Sequence, residues 1–253
     1  MTARATRRPP VELAGRVVLV TGASGGIGAA TCAALTRRGA VVVAAGRDET
    51  ALAAVAAAAT VVADAADPAA APALVAAAVD RHGRLDAVVA NAGIGWAGEF
   101  AGMDPARITE LVDVNLRAPM LLARAALPVL RRPGALVFLT SIAGLVGVPG
   151  ETVYSVTKAG LETFATLLRE ELDGITVSTV APGAVDTAFF TNRGVPYDRS
   201  FPRPIPPGQV AEAVVEAIAT GRQRRVEPRW LAVPARLSAT VPKTYRALAR
   251  RFG

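Results

Sequence analysis

Cysteine is nearly missing from this chain: Cys32 is the one example among 253 residues. A lone thiol excludes a disulfide framework or a thiolate metal site built within the chain. Placed in an apolar helical stretch, Cys32 reads as a buried structural residue. Charge is also sparse, at 19% Asp, Glu, Lys and Arg, whereas just over half of the residues are apolar. That balance fits a packed globular chain and excludes a disordered one. No stretch approaches the ~18 uninterrupted apolar residues of a membrane span. The alanine-rich segment 51–59 is too short and too weakly apolar. Arg4, Arg7 and Arg8 open the chain, but Pro9 and Pro10 stand where a signal peptide needs its apolar core. Residues 1–14 therefore read as an unprocessed flexible basic arm, and the protein as cytoplasmic.

Acidic residues are too few to balance the basic ones, and the net charge is +7. The excess is confined to the ends. Residues 221–253 hold nine Lys or Arg against Glu227, and the first eight residues hold three Arg, so residues 9–220 carry −4. A mildly acidic body excludes a nucleic-acid-binding core.

What is present is a rhythm of short β-branched runs and helical patterns. Strands are expected at 16–21, 41–45, 61–63, 85–90, 135–141 and 176–181. Helices are expected from the glycine-rich segment to about 38, at 49–59, 68–81, 105–131 (one long or broken helix), 152–172 and 209–220. Strands apolar at every residue are buried on both faces, as in a parallel sheet covered by helices. The alternation gives an α/β fold: a Rossmann-like doubly wound parallel sheet in a single catalytic domain, residues 15–220. Residues 188–207 hold five prolines and form a long lid loop. No internal repeat is present.

The segment Thr21-Gly22-Ala23-Ser24-Gly25-Gly26-Ile27-Gly28 joins the first strand to the first helix. Glycines let the backbone turn tightly and approach a pyrophosphate, and a helix N-terminus offers free N–H groups to it. The second strand ends at Gly46-Arg47, where an acidic residue would bind the adenosine ribose. A guanidinium suits a 2′-phosphate, so NADP(H) is preferred, while the neighbouring Asp48 keeps NAD(H) open. Further on, Tyr154 and Lys158 share one helix face by i, i+4 spacing. A nearby cation lowers a tyrosine pKa of ~10 by roughly 1 to 3 units, and Lys158 supplies one. Ser141 closes the preceding strand, where ligands bind in this architecture.

From about residue 15 to 220 the chain resembles the short-chain dehydrogenase/reductase family. Its cofactor turn is similar to residues 21–28, its adenine-contacting Asp to Asp64 (followed by Ala65), its Asn-Ala-Gly to Asn91-Ala92-Gly93, and its helix Asn to Asn115. The catalytic Ser, Tyr and Lys match Ser141, Tyr154 and Lys158; the Pro-Gly nicotinamide loop matches Pro182-Gly183, with Val185 and Thr187 beyond. The resemblance implies that Tyr154 is the general acid in reduction and the base in oxidation, and that Ser141 orients the substrate oxygen. Lys158 would depress the tyrosine pKa and hold the nicotinamide ribose, and Asn115 would position a relay water. Family members specific for NAD place an acid where Gly46 stands, and those specific for NADP a base where Arg47 stands. Ala90, and the pair Ala65-Ala66, depart from the family pattern without removing a catalytic group. Helices within 108–130 and 152–172 resemble the family's dimer and tetramer surfaces, implying a homo-oligomer.

Ile94, Trp96, Leu145, Val146, Val148, Phe189 and Phe190 surround the expected site, which points to an apolar ketone, aldehyde or alcohol substrate. Arg193, Arg199 and Arg203 in the lid could recruit an anion instead. In the basic extension, residues 221–253, Leu237, Val241, Tyr245, Leu248 and Phe252 recur at helical spacing among Arg and Lys. That pattern suits a lid or subunit contact, with peripheral attachment to an anionic membrane as the alternative. A rival from another class is a non-catalytic NADP-binding sensor or scaffold, since fold alone does not establish activity.

Overall fold

A segment that is apolar at every position is stable only where both faces are covered, and β1 (Val17–Thr21) is buried at all five residues. In the computed structural model, which describes residues 11–198 and 201–242, Val18 and Val20 enter one apolar layer and Val17 and Leu19 the other. The two-residue period of a strand divides them so. After β1 come α1 (Gly26–Thr36), β2 (Val41–Gly46), α2 (Glu49–Ala53), β3 (Ala59–Val62), α3 (Ala70–His82) and β4 (Leu85–Ala90). Next are α4 (Pro105–Val112), a wide π-type turn (Asp113–Arg117), α5 (Ala118–Ala126), β5 (Leu130–Leu139), α6 (Ile142–Val146), α7 (Thr152–Glu171) and β6 (Ile175–Pro182). The described part closes with α8 (Phe189–Asn192), α9 (Pro207–Thr220), β7 (Arg224–Glu227) and α10 (Ala232–Thr240).

All strand pairs are parallel, in the order β3-β2-β1-β4-β5-β6-β7. The sheet is doubly wound, as expected. On one face α1 and α9 contribute Cys32, Leu35, Val210 and Val214; on the other α3, α5 and α7 contribute Leu74, Leu122 and Leu161. Burying each of the larger side chains stabilises the fold by about 1.5–3 kcal/mol. Chain order reverses between β1 and β4, which opens a crevice at the carboxyl edge of the sheet. No helix among the described residues is long and apolar enough to cross a membrane.

The structure departs from the sequence reading at four places. The helix expected over 105–131 is of the broken kind, divided by the π-type turn, but it stops at Ala126, because Leu130 pairs with Leu85 and opens β5 early. Residues 131–133 are exposed, and their polar character hid the strand. The expected basic extension contains β7: Arg225 and Glu227 pair with each other, Arg224 with Glu162, and Val226 is buried. An edge strand of this kind carries no apolar run. Residues 188–207 include α8 and a bridge from Val185 to Ile205. Helix α2 is shorter than expected, ending at Ala53. Residues 1–10, Arg199 and the tail residues Tyr245, Leu248 and Phe252 lie outside the described residues.

Candidate active site

The glycine-rich turn is shaped by close backbone approach. Gly22 has φ +62°, and a Cβ there would stand 2.7 Å from Ala92 Cα. Gly26 also lies at positive φ, where an added Cβ would meet Thr187 Cγ2 at 3.1 Å, and one on Gly28 would meet the Gly22 carbonyl at 2.1 Å. Asn91 Nδ2 donates to the Thr21 and Gly22 carbonyls at 2.9 and 3.0 Å, and Thr21 Oγ1 accepts from the Asn91 and Ala92 amides. The ends of β1 and β4 are thereby tied. Helix α1 starts with no side-chain cap at Gly25, so its first amides are free to bind an anion. The cradle is closed to side chains but open to a flat, phosphate-bearing ligand, and the residues fit a dinucleotide.

The turn opens into a cleft of about 970 Å³ that runs along the carboxyl edge of the sheet. Gly22, Ser24, Gly25, Gly26 and Ile27 line it, with Asn91, Ala92 and Gly93 from the end of β4. Arg47, Asp64 and Ala65 line its far end, and Pro182, Gly183, Val185 and Thr187 the near one. Gly28 and Asn115 are outside the lining: Gly28 is pressed against Gly22, and Asn115 lies behind Gly93. Space at position 46 is limited, since a Cβ there would stand 3.0 Å from Ser24 Oγ. Asp48 accepts from the Ala51 amide at 2.9 Å as the cap of α2.

Ser141, Tyr154 and Lys158 also meet in this cleft, all buried. Ser141 caps α6, its hydroxyl oxygen accepting from the Ala143 amide at 3.1 Å, and it also hydrogen-bonds Tyr154. Gly144 lets α6 touch α7, for a Cβ there would lie 2.7 Å from the Lys158 carbonyl carbon. Burial pushes the Tyr154 hydroxyl up to about 12; the Ser141 hydrogen bond opposes this, the Glu151 charge adds to it, and the Arg193 charge opposes it. Burial alone pulls the Lys158 ammonium down to about 8. Lys158 Nζ donates to the Leu139 carbonyl at 2.9 Å and stands 5.9 Å from the centre of the Tyr154 ring. Arg193 is a further cation that opposes the rise at Tyr154.

Asn115 sits in the π-type turn between α4 and α5. Its Oδ1 accepts from the Ile94 amide, and its Nδ2 donates to the Ile94 carbonyl, both at 2.9 Å, with a longer bond to Thr157. Its amide is thus bonded to backbone at both ends.

Ile94, Val148, Phe189 and Phe190 line the side of the cleft nearest Tyr154. The Phe189 ring centre lies 5.5 Å from that of Tyr154. Two expected substrate contacts are elsewhere. Leu145 packs with Ala181, Val226 and Leu231, and Trp96 is half-buried beside Tyr154's own apolar cluster without lining the cleft. Both lie near motif residues in the chain, but nearness in sequence does not report side-chain direction. Glu151 was missed. It lines the cleft three residues before Tyr154 and pairs with Arg193, so that lid cation is already neutralised. The one available signal was its position at the start of the tyrosine helix.

A dinucleotide cradle joined to a buried tyrosine, serine and lysine makes this an oxidoreductase of the NAD(P)-dependent class. A family model described as short chain dehydrogenase matches residues 16–196, and the chain belongs to that family. It is 39% identical over 191 residues to versicolorin reductase stcU of Emericella nidulans, which covers 71% of this chain and 72% of that protein. It is 37% identical over 223 residues to ketoacyl reductase HetN of Nostoc sp., covering 81% and 76%. A short chain dehydrogenase from Burkholderia cenocepacia, solved in complex with NADP, superposes with a TM-score of 0.76 at 29% identity over 85% of this chain and 97% of that one. A Burkholderia phymatum enzyme of the family, solved with NAD, shares the fold at TM-score 0.82 and 22% identity, over 92% and 96%.

Proposed function

We propose that the protein interconverts a ketone or aldehyde and the corresponding alcohol with NADP(H), on an apolar substrate, with Tyr154 as its acid/base group. The observation that carries this reading is the Tyr154 hydroxyl itself: buried, hydrogen-bonded to Ser141, and set between the glycine cradle and an apolar wall. A bound nicotinamide supplies or accepts a hydride. In reduction, Tyr154 donates its proton to the substrate oxygen while the Ser141 hydroxyl orients that oxygen. A hydroxyl kept protonated by burial is suited to the donor role. Lys158 supplies the buried cation beside the developing phenolate, and Asn115 stiffens the loop carrying Ile94 behind it.

The NADP(H) preference is supported by three side chains. Arg47 has no ion-pair partner among the described residues, Ser24 crowds position 46 where an acid would stand, and Asp48 is committed to its helix cap. The apolar preference is supported by Ile94, Val148, Phe189 and Phe190, and by the pairing of Arg193 with Glu151. The same reading has a catalytic body that begins near residue 15 and includes β7, with residues 188–207 as its lid, a cytoplasmic location, and a homo-oligomer built on α7. Exposed Val156 and Leu167, three turns apart on that helix, support the last, and light scattering after gel filtration tests it. Exposed Val233 and Leu237 on one stripe of α10, with exposed Val241 just past its end, keep peripheral membrane contact within the reading. Equal pelleting with anionic liposomes, with and without residues 230–253, rejects that contact.

The central experiment scans NADPH and NADH oxidation against ketones and aldehydes of graded size, in wild type and Tyr154→Phe. Turnover that survives the substitution overthrows the mechanism, and turnover of small charged compounds alone overthrows the apolar pocket. Tight NADPH binding without turnover of any carbonyl favours the sensor reading.

A further inference from the structure

The cleft contains a buried ion pair that the proposed reaction does not use. Glu151 precedes α7 and Arg193 follows α8; their side chains are 15% and 8% exposed and bond to each other through Oε1 and Nη1. Arg193 Nε also donates to the Val195 carbonyl at 2.8 Å, and its guanidinium carbon lies 4.7 Å from the Phe190 ring centre. Both residues line the cleft.

Removing two charges from water is costly, and a buried ion pair is weak evidence of a stabilising role. What this pair does is join the two elements that bound the site. Helix α8 carries Phe189, whose ring rests against Tyr154, and Glu151 stands three residues before Tyr154. Beneath α8 the fit is close: a Cβ on Gly95 would lie 2.6 Å from Phe189 Cζ and 2.9 Å from Arg193 Cβ. The lid is seated on bare backbone, and the ion pair is its tie to the catalytic helix.

Lys158 lies on α7, bonded to Leu139, and Ser141 offers a hydroxyl from the start of α6. Arg107 and Glu110 on α4 line the same cleft and are bonded to each other. Glu151 and Arg193 act on the Tyr154 hydroxyl with opposite signs. Intact, the two charges oppose each other at that hydroxyl.

We propose that Glu151 and Arg193 form a positioning clamp, seating Phe189 over the substrate chamber while presenting a balanced charge to the Tyr154 hydroxyl. This rests on Tyr154 being the acid/base group, and the test separates the two claims. The readout is the alkaline limb of kcat/KM for NADPH-dependent carbonyl reduction, in Arg193→Met, Glu151→Gln, the double variant and Arg193→Lys. NADPH fluorescence confirms that each variant is folded.

Arg193→Met removes the positive charge and moves the limb to higher pH, whereas Glu151→Gln removes the negative one and moves it lower, each by roughly one pH unit. The double variant returns the limb towards the wild-type position but keeps a KM raised on the order of tenfold, because the tie is lost. Arg193→Lys keeps the charge and the limb while raising KM. Shifts of the same sign, no shift, or a double variant displaced as far as the singles overturns the clamp. Turnover surviving Tyr154→Phe in the same assays overturns the acid/base assignment and removes the clamp's basis. Loss of turnover in Tyr154→Phe without opposed shifts overturns the clamp alone.

Discussion

Lys158 Nζ reaches across from α7 to the last residue of β5 and donates to the Leu139 carbonyl at 2.9 Å. The ammonium is thereby buried with a neutral acceptor, which explains why it loses its proton more easily than a lysine in water, at about 8.

This has a consequence for stability. The folded pKa lies below the unfolded value of ~10.4, so between about 8 and 10.4 the unfolded chain binds more protons and stability rises with pH. From pH 7 to pH 10 the expected gain from this group is about 3 kcal/mol, at ~1.4 kcal/mol per pH unit. Urea unfolding of wild type and Lys158→Met at both values checks it. Parallel slopes in the two proteins would refute the assignment.

Tyr154→Phe removes the proton donor but little volume. Turnover is expected to fall about 10²–10⁴-fold with NADPH affinity nearly unchanged. Steady-state kinetics beside fluorescence titration of NADPH separate the two quantities.

Arg47→Ala tests the cofactor preference. A charge-assisted contact at an exposed rim contributes modestly, so NADPH affinity should fall on the order of tenfold while NADH affinity stays put. Titration with both cofactors decides, and equal losses would place Arg47 outside the phosphate site.

Gly22→Ala meets two obstacles, a positive φ and backbone 2.7 Å from the new Cβ. Each costs about 1–3 kcal/mol. The variant should lose thermal stability and dinucleotide binding together, as read by melting with and without NADPH.

Asp86→Asn is the control from the opposite edge of the sheet. The buried Asp86 carboxylate accepts from the Val17 amide at 2.9 Å and from Arg84 at 2.5 and 2.7 Å. Weakening it should cost on the order of 2–4 kcal/mol of stability and leave kcat unaltered in the folded fraction. Denaturation midpoints and turnover of the same preparation test the contrast.

Much of this architecture was legible in the residues. Runs such as 17–21 and 85–90 are apolar at every position, and only a covered parallel strand accommodates that. The glycine turn was equally plain, because Gly22 and Gly28 occupy places where a Cβ collides with backbone. The β7 strand was not visible, because its charges are neutralised by residues distant in sequence: Arg224 by Glu162 on α7, and Arg225 by Glu216 on α9. Leu145 and Trp96 neighbour site residues in the chain but not in the cleft, because direction across a helix or loop is set by packing.

The tyrosine, serine, lysine and phosphate turn were determined by the sequence itself, since their residue types and spacing carry the chemistry. Tertiary structure decided which charges act on that tyrosine. It turned Lys158 towards Leu139 and brought Arg193, from a loop 39 residues downstream of Tyr154, onto Glu151. The physical reason is that electrostatic influence depends on distance through space and on burial, and neither quantity is written in chain order.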